Sequence, residues 1–185
     1  MGSLNVYDNI EIPKINSIKL HVEDNSSIVD TIVKDIISPY CKSLDEYVLF
    51  IRSCLNGGNN PPTNSELEDF CLNLSTEIYF ASGMCENLGI RDDISKAVYK
   101  ETYNSARLSQ EKGTVADKDT IAELSSQQEQ LTSICYNRAY RMMKSKVEAA
   151  QEMLASCKKT LSHRMQEMAL VKLPDTTNSS SYYSD

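Results

Sequence analysis

The sequence predicts an all-α protein: a helical bundle with one dominant long C-terminal helix, an extended N-terminal arm and a disordered C-terminal tail. Apolar residues recur at three-and-four spacing in several segments, which is the periodicity of a helix with one buried face. Capping residues, glycines and prolines separate these segments. From Thr114 to about Leu170 the chain contains neither proline nor glycine, so this stretch can form one long helix.

Composition sets the outer limits of this prediction. The 185 residues are 41% hydrophobic, which is enough for one compact domain with projecting tails. The first residues lack the basic and apolar regions of a secretory signal, and no run of 18 apolar residues is present. We therefore expect a cytoplasmic protein without a membrane partner.

Residues 1–25 are predicted to form the extended arm. Pro13 and the alternation over residues 18–22 favour extended backbone that can hold one short strand.

Residues 26–112 are predicted to form an acidic helical region of several short helices. Helix caps are expected in this region at Ser26 or Ser27, at Ser43 (in a capping box with Glu46) and at Ser65. The predicted ends are Pro39, Gly57-Gly58, and Gly83 or Gly89, and Asp92 is expected to cap the last helix.

Residues 113–172 are predicted to form the long basic helix, and residues 173–185 the disordered tail, which has few apolar residues. The helix carries an apolar stripe at Leu131, Cys135, Ala139, Met143, Val147, Ala150, Leu154, Cys157 and Leu161. Its steps do not hold a strict 3.5-residue period. The stripe is thus expected to pack in a bundle, against the chain's own helices or other subunits, rather than in a two-stranded zipper.

The charge of this helix is the main functional signal. Between Arg138 and Lys172 there are eight basic residues and three acidic ones, whereas the whole chain has a net charge of −7. The predicted nucleic-acid contacts are Arg138, Arg141, Lys144, Lys146, Lys158, Lys159 and Arg164, with Tyr136 and Tyr140 as candidates for base stacking. Cations along a phosphate backbone with aromatic rings beside them are typical of sequence-independent single-strand binding.

Two other interpretations of this charge remain open. The basic side chains can form an ordinary solvated helix face, or they can pair with the acidic half of the same chain. Glu148 and Glu152 interrupt the basic region and favour these alternatives.

Neither a metal site nor a catalytic site is predicted. The six cysteines are irregularly spaced with no C-x-x-C pair, and the two histidines are far apart, which favours reduced, buried thiols. No nucleophile–base motif or phosphate-binding loop is present. We expect a protein that is not an enzyme and that uses no cofactor.

The segment from about Thr102 to Leu170 resembles the C-terminal half of UvsY-type recombination mediators of tailed bacteriophages. The resemblance lies in Ala106-Arg107-Leu108, residues 113–119 (with Ala116-Asp117-Lys118-Asp119), the Tyr-rich turn Tyr136–Tyr140, Lys144-Ser-Lys146, Lys158-Lys159 and His163-Arg164. It implies an oligomeric, non-catalytic single-stranded DNA-binding protein that helps to load a recombinase in the bacterial host cytoplasm. The basic residues of the long helix would then contact the DNA.

Two functions therefore remain in view. The leading hypothesis is a phage-type accessory protein that binds single-stranded DNA in recombination or repair, forms a homo-oligomer through the apolar stripe and contacts a recombinase or another phage protein. The alternative is a structural or scaffold helical-bundle protein, a virion component or an adaptor, that acts through protein–protein contacts. DNA, RNA and an acidic protein all remain possible partners, and the number of subunits stays open.

Overall fold

The computed structural model describes residues 12–56, 61–110 and 112–171. These residues contain four helices and no strand: α1 (Ile12–Asn56), α2 (Asn64–Ser109), α3 (Val115–Ser125) and α4 (Gln127–Val171). The all-α prediction is confirmed. The predicted tail, and the arm up to residue 11, lie outside the described residues.

α1 is much longer than the sequence suggested. The predicted extended arm is wrong from Ile12 onward, because residues 12–25 belong to α1. Pro13 falls in the first helical turn, where the amide hydrogen that proline lacks would have no partner within the helix. Pro39 does not end the helix either, and Val33, Ile37 and Cys41 are buried on both sides of it. Burial of this apolar side outweighs the hydrogen bond that proline removes.

The capping box predicted at Ser43 and Glu46 is not formed, because both residues lie inside α1. The Ser43 hydroxyl instead donates a hydrogen bond of 2.6 Å to the Glu77 carboxylate. Burial of Leu44, the next residue after Ser43, favours continuation of the helix over a new start.

α2 also runs through its predicted stops at Gly83 and Gly89. It begins two residues after Pro62, where Thr63 and Glu66 exchange hydrogen bonds: the Thr63 amide donates to the Glu66 carboxylate, and the Glu66 amide donates to the Thr63 hydroxyl. This reciprocal cap replaces the one predicted at Ser65.

Asp92, predicted as a cap, is instead a buried residue within α2. Its Oδ2 accepts hydrogen bonds from Lys96 (2.7 Å) and from the amide of Asn137 (3.1 Å) on α4. The sequence pattern was misleading because aspartate is a common cap, whereas here it is held in the helix interior by two side-chain donors.

The predicted long basic helix is divided in two at Ser126. Thr114 caps α3, in a reciprocal pair with Asp117 that lowers the pKa of the Asp117 carboxyl through hydrogen bonds from the Thr114 amide and hydroxyl. Ser126 is fully buried, and its hydroxyl donates to the carbonyl of Ala122. The backbone amide of Ser126 also donates to this carbonyl, so the hydrogen bonding of a helix continues across the division between α3 and α4.

The chain folds as two compact units. The first comprises the described residues up to Tyr40 together with Met84–Met143. Its buried apolar residues are Val33 and Ile37 from α1, Cys85 and Leu88 from α2, Ala122 from α3, and Cys135, Ala139 and Met143 from α4. Leu131, the first member of the predicted stripe, is 46% exposed and lies outside this core.

The second unit comprises Cys41–Gly83 and the described residues from Lys144 onward. It is a bundle of three helical segments with the buried residues Cys41, Leu44, Ile51, Leu67, Phe70, Leu74, Ile78, Ala81, Val147, Ala150 and Cys157. Apart from the exposed Leu131 and the half-buried Leu154 and Leu161, the stripe of α4 is thus buried in the cores of the two units. Self-association would have to use a different surface.

The two helical glycines of α2 give a stability prediction. A Cβ atom at Gly83 would meet no atom within 4 Å, whereas one at Gly89 would lie 3.3 Å from the ring of Tyr140. We expect Gly83→Ala to raise the free energy of unfolding by about 0.5–1 kcal/mol, because glycine weakens a helix interior. Gly89→Ala should give less or none of this gain. Urea denaturation followed by circular dichroism measures both, and equal effects would contradict the prediction.

Candidate nucleic-acid interface

All seven predicted contact residues lie on α4, but they fall into two groups. Arg138 and Arg141 belong to the first unit, and the other five belong to the second. The structure also separates them by environment. Five are exposed and two have partners within the chain.

In the first unit, Arg138 and Arg141 are both exposed. Neither forms an ion pair with any residue that the structure describes. They lie three residues apart, so their side chains leave neighbouring positions on one side of α4. These two guanidinium groups are accessible to an anionic ligand.

The predicted stacking residues Tyr136 and Tyr140 are half-buried in the same unit. The ring of Tyr140 packs over the backbone of Gly89 on α2. Tyr136 lines a groove of about 360 Å³ together with Ile94 and Val98 of α2. Both rings therefore contribute to packing, and only part of each surface is open to solvent.

In the second unit, Lys144, Lys158 and Lys159 are exposed, and none of them is ion-paired with a described residue. Lys158 lies near the half-buried thiol of Cys71. Burial raises the pKa of that thiol, and the positive charge of Lys158 opposes the shift. The carboxylate of Glu68 also acts on this thiol and raises its pKa further.

Lys146 has a structural partner. Its ammonium donates to both carboxylate oxygens of Asp45 on α1, each at 2.7 Å, and its side chain is only 28% exposed. The pair lies beside the buried thiol of Cys41, whose pKa is raised chiefly by burial and then by Asp45. Lys146 thus pairs with an acidic residue of the same chain, as one of the two alternative interpretations of the charge predicted.

Arg164 also has a partner within the chain. Its guanidinium donates a hydrogen bond to the backbone carbonyl of Pro62, just before α2. This contact ties α4 to the start of α2, where Pro62 is buried. The acidic residues of the sequence could not predict this contact, because its acceptor is a backbone carbonyl.

Carboxylates lie among the exposed cations of the second unit. Glu148 and Glu152 are exposed, and both lie between Lys144 and Lys158 in α4. Neither carboxylate forms an ion pair with a described residue. This part of α4 therefore attracts anions only modestly, because its three unpaired lysines are partly offset by two unpaired glutamates.

The sequence interpretation overlooked the outward side of α2. Apart from its buried residues, α2 exposes Leu72, Tyr79 and Phe80 in the second unit and Ile90 in the first, whereas its exposed Ile94 and Val98 line the groove beside Tyr136. These residues also recur at helical spacing, and this second apolar periodicity could have revealed the surface from the sequence. Exposed apolar side chains in such number are typical of a surface that meets another molecule.

The described residues contain no group of three or more His, Cys, Asp or Glu side chains that could hold a metal ion. No disulfide joins the six cysteines, all of which lie in the described part of the chain. Within 12–56, 61–110 and 112–171, no helix has the length and apolar character needed to cross a membrane.

Comparisons with known proteins give no assignment. No family model, no curated protein and no solved structure matches the chain. The similarity to UvsY-type mediators thus stays a prediction from the residues given above.

Proposed function

We propose that this chain is a non-catalytic accessory protein that binds single-stranded nucleic acid through the exposed cations of α4. One observation carries the proposal: Arg138, Arg141, Lys144, Lys158 and Lys159 are exposed and have no ion-pair partner among the described residues. In an acidic protein, basic side chains left without partners are available for an external anion.

The physical basis is the release of counterions. Each cation that neutralises a phosphate of a single strand steepens the dependence of log Kd on log salt by about 0.7. Five contacts give a slope of about 3.5, so raising the salt from about 50 to 200 mM should weaken binding about 100-fold. Lys146 and Arg164 are expected to add little, because their partners within the chain already hold them.

Fluorescence anisotropy with a labelled single-stranded oligonucleotide tests the proposal directly. The expected result is binding at about 50 mM salt that weakens steeply as salt rises. Absence of binding at low salt, or binding that does not change with salt, would overturn it. An RNA strand of the same sequence and an acidic peptide, measured in parallel, decide which anion is preferred.

The resemblance to UvsY-type mediators extends this proposal to a role in phage recombination or repair. On this proposal, the bound strand would be handed to a recombinase. A strand-exchange assay with a recombinase, with and without the protein, measures that step separately from binding.

A second candidate is a structural or scaffold protein that acts through protein–protein contacts. The observation that favours it is the set of exposed apolar residues on the outward side of α2, for example Leu72, Tyr79 and Ile90. Light scattering and fluorescence anisotropy together discriminate between the two functions. A defined oligomer without affinity for nucleic acid supports the scaffold.

A further inference from the structure

The first unit presents a concave surface on α3 and α4 whose lining is apolar and polar and includes one acidic residue, Glu129, with the cation of Arg138 beyond its end. Leu124, Leu131 and Ile134 are all exposed, and they line a concave surface of about 620 Å³ at the junction of the two helices. Arg138 follows Ile134 by one helical turn and is exposed. We call Leu124, Gln127, Leu131, Ile134 and Arg138 the α4 outer face. Their spacing of three and four residues places them along one side of the nearly continuous α3–α4 pair.

The same unit presents an apolar and acidic surface on α1. Leu20 is 62% exposed and Ile28 is 58% exposed. We call Leu20, Asp24, Ile28, Thr31 and Asp35 the α1 outer face, and all five are exposed. Asp24 and Asp35 form no ion pair with a described residue, whereas the nearby Asp30 is paired with Lys34 at 2.6 Å.

The last four residues of the two faces have the same spacing, and they place one pair of opposite charges at matching positions. Asp24, Ile28, Thr31 and Asp35 correspond to Gln127, Leu131, Ile134 and Arg138, at a constant difference of 103 in residue number. In a parallel alignment, apolar residues meet at Ile28 with Leu131, and opposite charges meet at Asp35 with Arg138. No like charges meet at these positions, and Leu20 falls within one residue of the position opposite Leu124.

We propose that the α1 outer face of one copy binds the α4 outer face of a second copy. Because the two faces differ, the contact is head-to-tail: one copy keeps an unused α4 outer face and the other keeps an unused α1 outer face. Burial of the apolar residues supplies the driving force, and the ion pair fixes the register. The occupant is a second copy because complementary spacing and charge occur within the same chain.

Sedimentation velocity of the full chain over a range of concentrations, without nucleic acid, tests this contact. The wild type is expected to associate reversibly. Arg138→Glu should weaken the association about tenfold, because the glutamate would face Asp35 of the second copy. Asp35→Arg alone should weaken it similarly, and the double variant Arg138→Glu with Asp35→Arg should recover it. Lys100→Glu makes the same charge change at an exposed lysine of α2 and should have no effect.

Three outcomes would overturn the proposal. The first is a wild type that stays monomeric at every concentration, and the second is a single Arg138→Glu variant that associates as the wild type does. The third is that Asp24→Arg, and not Asp35→Arg, restores the association of the Arg138→Glu variant. That result would contradict the parallel alignment. Since nucleic acid is absent from this experiment, its failure is independent of any failure of the proposed binding function.

Discussion

Reversing the charge of Arg141, Lys144 and Lys159 together is expected to weaken binding to a single strand by about 100- to 1,000-fold at about 50 mM salt. All three side chains are exposed and lack ion-pair partners among the described residues. Removing three of five phosphate contacts leaves a salt slope of about 1.4 in place of about 3.5. Anisotropy with the oligonucleotide measures both the affinity and the slope.

A matched control variant is available in the same chain. Lys42, Arg52 and Lys100 are exposed basic residues outside α4, and their reversal to glutamate changes the net charge equally. This control should lose only the small part of the affinity that depends on net charge, and it should keep the salt slope. Equal losses in the two triple variants would show that binding follows overall charge and not the α4 cations.

Leu74→Ala is expected to lower the free energy of unfolding by about 2–5 kcal/mol. Leu74 has no exposed surface and lies in the middle of the second unit's core, among residues such as Leu67 and Ile78. Truncation removes apolar contacts and leaves a cavity that the surrounding helices fill only in part. Urea denaturation followed by circular dichroism gives the value.

Leu72→Ala provides the comparison for Leu74→Ala. Leu72 is on the same helix, two residues away, and is 68% exposed. The same chemical change should there alter the free energy of unfolding by no more than about 0.5 kcal/mol. A similar cost at both positions would contradict the assignment of Leu74 to the core and of Leu72 to the surface.

The all-α class and most of the buried residues of α4 could be predicted from the sequence, because apolar periodicity is a local property. Cys135, Ala139 and Met143 were identified in this way and are buried. Helix ends were predicted less well. Pro39, Gly83 and Asp92 are common at helix ends, yet all three lie inside helices. Burial of neighbouring side chains overrides these local preferences, and it depends on residues distant in the sequence.

Which basic residues of α4 are exposed and which are ion-paired could not be predicted either, because this also depends on residues distant in the sequence. Lys144 and Lys146 are two residues apart and look alike in the sequence, but Lys144 is exposed and Lys146 is bound to Asp45. The pairing depends on the packing of α4 against α1, 101 residues away in the chain. Only the arrangement of the helices distinguishes a basic residue that stabilises the fold from one that remains accessible.

The pairing of Asp45 with Lys146 also bears on how the protein is synthesised. At about 5–20 residues per second, a ribosome adds the 101 residues between these partners in about 5–20 seconds. During this time the apolar side chains of α1 that pack beside Asp45, such as Leu44, have no α4 to cover them. The nascent chain thus exposes hydrophobic surface until its last third emerges, and only then can α4 bury it.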